Sequence, residues 1–195
     1  MKPSNTQKPH LIITVGIPGA GKSTFAEHFS ETFKAPMISF EQLRKKVFNM
    51  TEFNEEQNEI MNQLTESVLD EALKTGRTIV YDGPTSRRIE RGNISKKARD
   101  AGYEPLFVWV QTETNTAQKR ATKNNPKKQN LSTEQFDIKL KKFSAPHVNE
   151  KAIVISGKHT YPSQLKIVLK NLVQPRVPNT DKRIVPHTAK RFLVR

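Results

Sequence analysis

The sequence predicts a doubly wound α/β domain, in which helices cover both faces of a parallel sheet. Five short apolar or β-branched runs alternate with longer segments of helical periodicity, which is the pattern of parallel strands joined by right-handed helical crossovers. A glycine-rich segment, residues 16–23, joins the first apolar run to the first helical segment. The length of 195 residues favours one domain with a substantial core over two small ones.

The predicted elements follow from hydrophobic periodicity and from helix boundary signals. Short, largely apolar runs are typical of parallel strands buried on both faces, and such runs occupy residues 11–15, 36–39, 78–81, 106–110 and 152–155. Ser132 and Gln135 have the spacing of a capping box, Ser39 and Gln42 share that spacing, and Gly76 is a helix stop signal. The predicted helices are residues 23–33, 55–73, 89–101, 114–123, 132–143 and 163–172, and a short helix follows Ser39.

We expect residues 10–173 to form this domain, between a polar N-terminal segment of residues 1–9 and a basic tail of residues 174–195. The tail has three prolines, one acidic residue, Asp181, and a surplus of lysine and arginine. It shows no clear hydrophobic period, so we expect an extended arm. Such an arm either contacts nucleic acid, packs back on the domain or does neither.

The composition and net charge of the chain indicate which binding partners and which cellular compartment to expect. The chain has no cysteine, which excludes disulfides and thiolate metal sites and suits a reducing cytoplasm, where we expect the protein. No apolar run approaches the roughly 20 residues that a membrane span requires, so we expect no membrane partner, and no feature indicates a protein partner. The net charge of +14 favours nucleic acid or a phosphorylated substrate, although a basic surface that only aids solubility is equally compatible with it.

Residues 16–23 have the pattern G-x-x-x-x-G-K-S of a phosphate-binding loop. A buried strand ends before this loop and a helix begins after it, so free amide groups and the positive end of the helix dipole face an anion. Lys22 can reach the β- and γ-phosphates of a nucleotide, and the Ser23 hydroxyl can bind Mg²⁺. We therefore expect the chain to bind a nucleoside triphosphate. The predicted nucleotide-binding residues are Gly16, Ile17, Pro18, Gly19, Ala20, Gly21, Lys22, Ser23 and Thr24.

Two carboxylates follow predicted strands at the carboxyl edge of the sheet, where open α/β sheets bind ligands. Asp82 ends the third strand and can bind Mg²⁺ or hold an acceptor hydroxyl, or else it only forms a turn with Gly83. Glu41, in the first turn of the short helix, can accept a proton from an attacking hydroxyl, or else it only complements the helix dipole. Arg44 can pair with Glu41 or bind an anionic acceptor.

Basic residues follow the third and fourth strands. Arg120 belongs to a cationic helix and loop that can close over a triphosphate and neutralise charge on a transferred phosphoryl group, although an exposed helix end explains the same residues equally well. Arg87, Arg88 and Arg91 come after Asp82 and either bind the phosphates of an acceptor or form a solvated helix face.

Taken in order, these segments resemble the AAA-33-type P-loop kinases, which are similar to the kinase domain of phage polynucleotide 5′-hydroxyl kinase. The resemblance covers residues 10–172. It implies a P-loop NTPase fold with a five-stranded parallel sheet in the order 2-3-1-4-5, ATP with Mg²⁺, and phosphoryl transfer to a hydroxyl, including the 5′-hydroxyl of a nucleic acid. The segments that carry it are the phosphate loop, residues 39–44, residues 81–85 with Arg88 and Arg91, the strand at residues 106–110 followed by Lys119 and Arg120, and the Phe143, Pro146 and Glu150 pattern.

The resemblance also implies roles for single residues. Lys22 and Ser23 match the family's phosphate loop, and Asp82 stands where the family has an aspartate after its third strand. Arg44 matches an arginine that helps to hold the acceptor in the polynucleotide kinases. Glu41 stands where those kinases have an aspartate as general base, so the longer side chain would take that role here.

The cationic helix and loop that can close over a triphosphate, residues 119–128, is called the lid here, and it departs from the family pattern. The family's lid usually carries two arginines four residues apart, whereas Arg120 is followed at that spacing by Asn124. Either Lys123 or Lys127 supplies the second positive charge, or the lid is weakened.

Two further functions are compatible with the sequence. A nucleotide-dependent binding or switch protein would hydrolyse ATP slowly and form no phosphorylated product. Alternatively, nucleic-acid binding by the tail and the lid is the main role. Guanine specificity is disfavoured, because no N-K-x-D motif follows the phosphate loop.

Overall fold

The computed structural model describes residues 8–48, 55–123 and 131–173, and it confirms the predicted fold class. Five parallel strands form one sheet in the order β2-β3-β1-β4-β5, which is the order that the family resemblance implies. The strands are β1 (His10–Val15), β2 (Met37–Ser39), β3 (Ile79–Asp82), β4 (Glu104–Gln111) and β5 (Ile153–Ser156).

The helices connect successive strands as predicted, with boundaries that differ from the expected ones by at most two residues. They are α1 (Lys22–Phe33), α2 (Phe40–Val47), α3 (Glu55–Leu73), α4 (Arg88–Asp100), α5 (Thr114–Thr122), α6 (Thr133–Lys142) and α7 (Tyr161–Val173), and a 3₁₀ turn spans Val148–Glu150. None of the helices in these described ranges is long and apolar enough to cross a membrane.

The sheet has a hydrophobic core on each face, which explains why the strands are nearly continuous apolar runs. Successive side chains of β1 alternate between the two cores: Leu11 and Ile13 pack with Leu69 of α3 on one face, and Ile12 packs with Phe25 of α1 on the other. The strand order makes β1 the central strand, so the loop that follows it emerges at the middle of the carboxyl edge.

Several predicted features lie outside the described residues. These are residues 1–7 of the N-terminal segment, the whole tail of residues 174–195, and Asn124 and Lys127 of the lid.

A buried arginine ties the segment after α6 to the loop after β3. Arg91 of α4 is 0% exposed, and its Nε and Nη2 donate to the two carboxylate oxygens of Glu150 at 2.6 and 3.0 Å. Its Nη1 also donates to the carbonyl oxygens of Thr85 and Ser144 at 3.0 and 2.9 Å. The guanidinium is therefore a structural clasp, and neither predicted alternative for Arg91, an acceptor ligand or a solvated helix face, describes it.

The same clasp predicts a pH-dependent contribution to stability. Burial alone would raise the pKa of Glu150, but hydrogen bonds from Arg91 and the His147 amide, with the nearby charges of Arg91 and Arg88, hold it below the ordinary value of 4.5. A depressed carboxyl pKa contributes stability that is present above the unfolded-state pKa and is lost as the pH falls through the folded-state pKa. We expect the stability difference between wild type and Glu150→Gln to shrink when urea unfolding is moved from pH 7 to about pH 3. A difference that stays constant over this range would contradict the assignment.

Candidate active site

The phosphate loop packs closely against helix α5. Gly19 has a φ of 75°, a left-handed conformation that favours glycine. A Cβ at this position would overlap with the carbonyl oxygen of Ala117 in α5. The loop thus lies directly against α5, and Gly19 is required both for its backbone conformation and for this close approach.

Lys22 is the first residue of α1 and folds back across the loop. Its Nζ donates to the carbonyl oxygen of Ile17 at 3.0 Å. Withdrawal from water lowers the pKa of Lys22 below its ordinary value, the negative charges of Asp82 and Glu41 oppose this, and the positive charge of Lys139 adds to it. The phosphate-loop lysine, both predicted carboxylates and a lysine of α6 therefore share one electrostatic environment.

Asp82 is fixed at the end of β3 by two threonines that the sequence analysis did not single out. The carboxylate is buried, with 6% of the residue exposed, and its Oδ1 accepts a hydrogen bond from Thr14 Oγ1 at 2.8 Å. Thr85 Oγ1 in turn donates to the Thr14 carbonyl oxygen at 2.8 Å. Thr14 is the single polar residue in the apolar run of residues 11–15, and that interruption was the available signal.

The hydroxyl of Ser23 and the carboxylate of Asp82 are suitable ligands for a magnesium ion that enters the site bound to a nucleotide. Ser23 lies in the first turn of α1, and Asp82 ends the strand beside β1. Within residues 8–48, 55–123 and 131–173, no group of three or more His, Cys, Asp and Glu residues can hold a metal ion. A hydroxyl with one carboxylate suits Mg²⁺, which retains waters and phosphate ligands, and does not suit a metal held by protein groups alone.

Glu41 and Arg44 form an ion pair at the start of α2. Ser39 caps this helix, since its Oγ accepts from the Gln42 amide at 3.3 Å. Glu41 Oε2 accepts from Arg44 Nε at 3.0 Å and lies 2.9 Å from Arg44 Nη2. The Arg44 side chain is almost fully buried, whereas the Glu41 side chain is 52% exposed. The arginine thus orients a carboxylate that remains open to a second ligand.

Arg120 contacts the turn after β5 rather than the carboxylates. Its Nη1 donates to the Gly157 carbonyl oxygen at 3.0 Å. A Cβ at Gly157 would overlap with the carbonyl oxygen of Ala20 in the phosphate loop, so this turn abuts the loop. Lys123, at the end of α5, is exposed. Arg88, the first residue of α4, is exposed and contributes its charge near Glu150.

A family model described as an AAA domain, AAA_33, matches residues 11–146. The chain belongs to this family. The match includes the phosphate loop, Glu41, Asp82, Arg120 and all of α6. None of the curated proteins compared with the chain is significantly similar in sequence.

Solved structures place this AAA_33 protein among the P-loop kinase folds. A gluconokinase from Sinorhizobium meliloti 1021 superposes with a TM-score of 0.61 at 16% identity, covering 85% of this chain and 93% of that one. The APS kinase CysC of Mycobacterium tuberculosis, solved with AMPPNP and APS, gives a TM-score of 0.62 at 14% identity, over 85% of this chain and 98% of that one. A chain of the Pnkp1/Rnl/Hen1 RNA repair complex gives 0.58 at 19% identity, over 74% of this chain and 49% of that one. At these identities the likeness shows the fold alone.

Proposed function

We propose that the protein is a kinase that transfers the γ-phosphoryl group of ATP to a hydroxyl group. The observation that carries this proposal is the placement of Lys22, Asp82 and Glu41 at one edge of the sheet, because they lie at the carboxyl ends of the neighbouring parallel strands β1, β3 and β2. A phosphate-binding loop alone would serve any nucleotide-binding protein. Two carboxylates beside it provide for both a magnesium ion and an attacking hydroxyl.

The nucleotide half of the site binds MgATP. The amides of the loop and the Lys22 ammonium bind the β- and γ-phosphates, and Ser23 and Asp82 would hold Mg²⁺, which supplies charge neutralisation on the phosphates. For the phosphates to engage Lys22, its Nζ exchanges the Ile17 carbonyl for phosphate oxygens. Thr14 keeps the Asp82 carboxylate in one orientation during this exchange.

The acceptor half of the site is the α2 side. The acceptor hydroxyl oxygen attacks the γ-phosphorus, the bond from that phosphorus to the β–γ bridging oxygen breaks, and ADP leaves with the electron pair. Glu41 takes the hydroxyl proton, and Arg44 orients Glu41 through their ion pair. The exposed guanidinium of Arg88 would bind a charged acceptor, and Arg120 would neutralise charge on the phosphates.

We propose a nucleic-acid 5′-hydroxyl as the first acceptor to test. The net charge of +14 favours a polyanionic acceptor, and one protein of similar fold belongs to an RNA repair complex. The other similar folds include a gluconokinase, so small alcohols belong in the same experiment.

A second candidate function is a nucleotide-dependent switch with slow ATP hydrolysis. The observation in its favour is that the proposed base, Glu41, is engaged by Arg44. Arg44 already occupies Oε2, one of the two oxygens that would accept the hydroxyl proton.

The deciding experiment supplies γ-labelled ATP with Mg²⁺ to the full chain, with 5′-hydroxyl DNA and RNA oligonucleotides and a panel of small alcohols. We expect label in one acceptor, and we expect Asp82→Asn to abolish it while Asp100→Asn, on the exposed end of α4, leaves it intact. Hydrolysis of ATP with no labelled acceptor would favour the switch. Absence of both would refute the kinase proposal.

A further inference from the structure

One peptide bond of the phosphate loop, between Ala20 and Gly21, is held from the side of β4. Thr112, the residue that follows β4, donates from its Oγ1 to the Ala20 carbonyl oxygen at 2.9 Å. The two residues are 92 positions apart in sequence, so only the folded chain brings them together. Ala20 is 0% exposed. Its carbonyl oxygen is therefore withdrawn from water and depends on a donor from the protein.

The turn after β5 covers this hydrogen bond. A Cβ at Gly157 would overlap with both the Ala20 carbonyl oxygen and the Thr112 hydroxyl oxygen, so the turn packs directly on the bonded pair. The Gly157 amide donates to the Gln111 carbonyl oxygen at 2.8 Å, and the Gly157 carbonyl oxygen accepts from Arg120 at 3.0 Å. The ends of β4 and β5 and helix α5 thus support the same peptide bond of the loop.

The geometry of a peptide bond links this support to phosphate binding. The described part of the chain has no cis peptide bond, and the C=O and N–H bonds of a planar trans peptide point in opposite directions. Because Thr112 holds the Ala20 carbonyl toward the end of β4, the N–H of Gly21 is directed away from it. On its other side, Gly21 is fixed by its carbonyl oxygen, which accepts from the Phe25 amide in α1 at 3.1 Å.

We propose that Thr112 is a positioning residue for the nucleotide, which fixes the Ala20–Gly21 peptide so that the Gly21 amide donates to the α- and β-phosphates. This inference rests on the proposed function, because it concerns the same nucleotide site. Gly21 has a φ of 108°, and glycine samples more backbone conformations than any other residue. Without the Thr112 hydroxyl, this peptide would be ordered only when the nucleotide binds, and that entropic cost would weaken binding.

The test compares wild type with Thr112→Val, which removes the hydroxyl and keeps the shape of the side chain, and with Thr112→Ser, which retains the hydroxyl. Thr114→Val is the matched control, since Thr114 is the exposed first residue of α5. We expect calorimetry to give affinities about 3- to 30-fold weaker in Thr112→Val, by the same factor for Mg²⁺–ADP and Mg²⁺–AMPPNP, because both carry the α- and β-phosphates. Thr112→Ser and Thr114→Val should stay within about two-fold of wild type.

Steady-state turnover provides a second measurement. A loss of binding that is equal in the ground state and the transition state raises KM and leaves kcat unchanged. We therefore expect the KM for ATP to rise in Thr112→Val by the factor found in calorimetry, with kcat near that of wild type. A general loss of folded structure would lower kcat as well.

A spectroscopic measurement reports on the amide itself. Protein labelled with ¹³C at alanine carbonyls and with ¹⁵N at glycine selects Ala–Gly pairs, and the chain has two of them, which end at Gly21 and Gly102. Gly102 follows α4, where its amide donates to the Arg99 carbonyl oxygen at 2.9 Å, and is an internal reference. We expect Mg²⁺–ADP to move the Gly21 amide proton downfield in wild type and Thr112→Ser. In nucleotide-free Thr112→Val, the Gly21 signal should shift or broaden while Gly102 stays unchanged.

Each outcome decides the proposal. Wild-type affinities in Thr112→Val, an equal loss in Thr112→Ser, a loss for AMPPNP alone, or a Gly21 signal that does not respond to nucleotide would overturn the role of Thr112 and leave the kinase proposal intact. If Thr112→Val behaves as expected but no acceptor is ever labelled, the kinase proposal fails and the role of Thr112 stands. Failure of the wild type to bind either nucleotide would overturn both.

Discussion

Replacing Lys22 with alanine is expected to lower ATP turnover by about 10²- to 10³-fold, the cost of removing one preorganised donor from a developing phosphoryl charge. The ammonium is the group of the phosphate loop that reaches the β- and γ-phosphates. It is held in place by the loop itself, since its Nζ donates to Ile17. The measurement is steady-state release of ADP with Mg²⁺ at saturating ATP.

Lys74→Ala is the matched control for that variant. Lys74 lies just after α3, exposed and paired with Glu71 at 2.6 Å, and its removal should leave turnover unchanged. The melting temperature of Lys22→Ala should stay near that of wild type. The substitution removes only the donor to the Ile17 carbonyl oxygen, and water can solvate that oxygen instead. Turnover within two-fold of wild type for Lys22→Ala would remove the phosphate loop from the chemistry altogether.

Replacing Arg91 with alanine is expected to destabilise the protein by about 3–5 kcal/mol, which is typical of removing one partner from a buried ion pair. The change leaves the Glu150 carboxylate and the carbonyl oxygens of Thr85 and Ser144 without their donor. For a chain of this length such a loss lowers the melting temperature by roughly 6–20 °C. Urea unfolding at pH 7 and thermal melting both measure it.

Arg87→Ala is the control for the clasp. Arg87 pairs with Glu90 at 2.7 Å on the surface, with its side chain 61% exposed, and exposed pairs contribute about 0–1 kcal/mol. A double-mutant cycle of Arg91→Ala with Glu150→Gln should show strong coupling, since each change removes the same contact. Additive effects, or a loss for Arg91→Ala no larger than for Arg87→Ala, would contradict the clasp.

The order and type of the elements were predictable because each strand is buried on both faces. A strand of that kind is a short, largely apolar run, and it cannot be confused with the amphipathic helices around it. Residues 55–73 were predicted as α3 without error. The clearest discrepancy was at β4, which extends to Glu104 and Gln111, because backbone pairing continues beyond the apolar segment, with β1 at Glu104 and with β5 at Gln111.

The site was predictable where a single local segment defines it. The phosphate loop is such a segment, and Asp82 and Glu41 directly follow strands whose carboxyl ends meet at one edge. Thr14 and Arg91 were not predictable in their roles. The first makes its hydrogen bond to a residue 68 positions away and the second its ion pair to one 59 positions away, and local periodicity carries no information on such partners.

The sequence by itself determined the strand–loop–helix unit that binds phosphate and the family to which the chain belongs, because both are encoded in residues adjacent along the chain. The tertiary structure alone decided that Arg91 is a buried clasp on Glu150 and that Arg44 pairs with Glu41. Those distinctions depend on burial and on contacts between residues that are far apart in sequence. Charges interact strongly only when folding brings them close together and away from water.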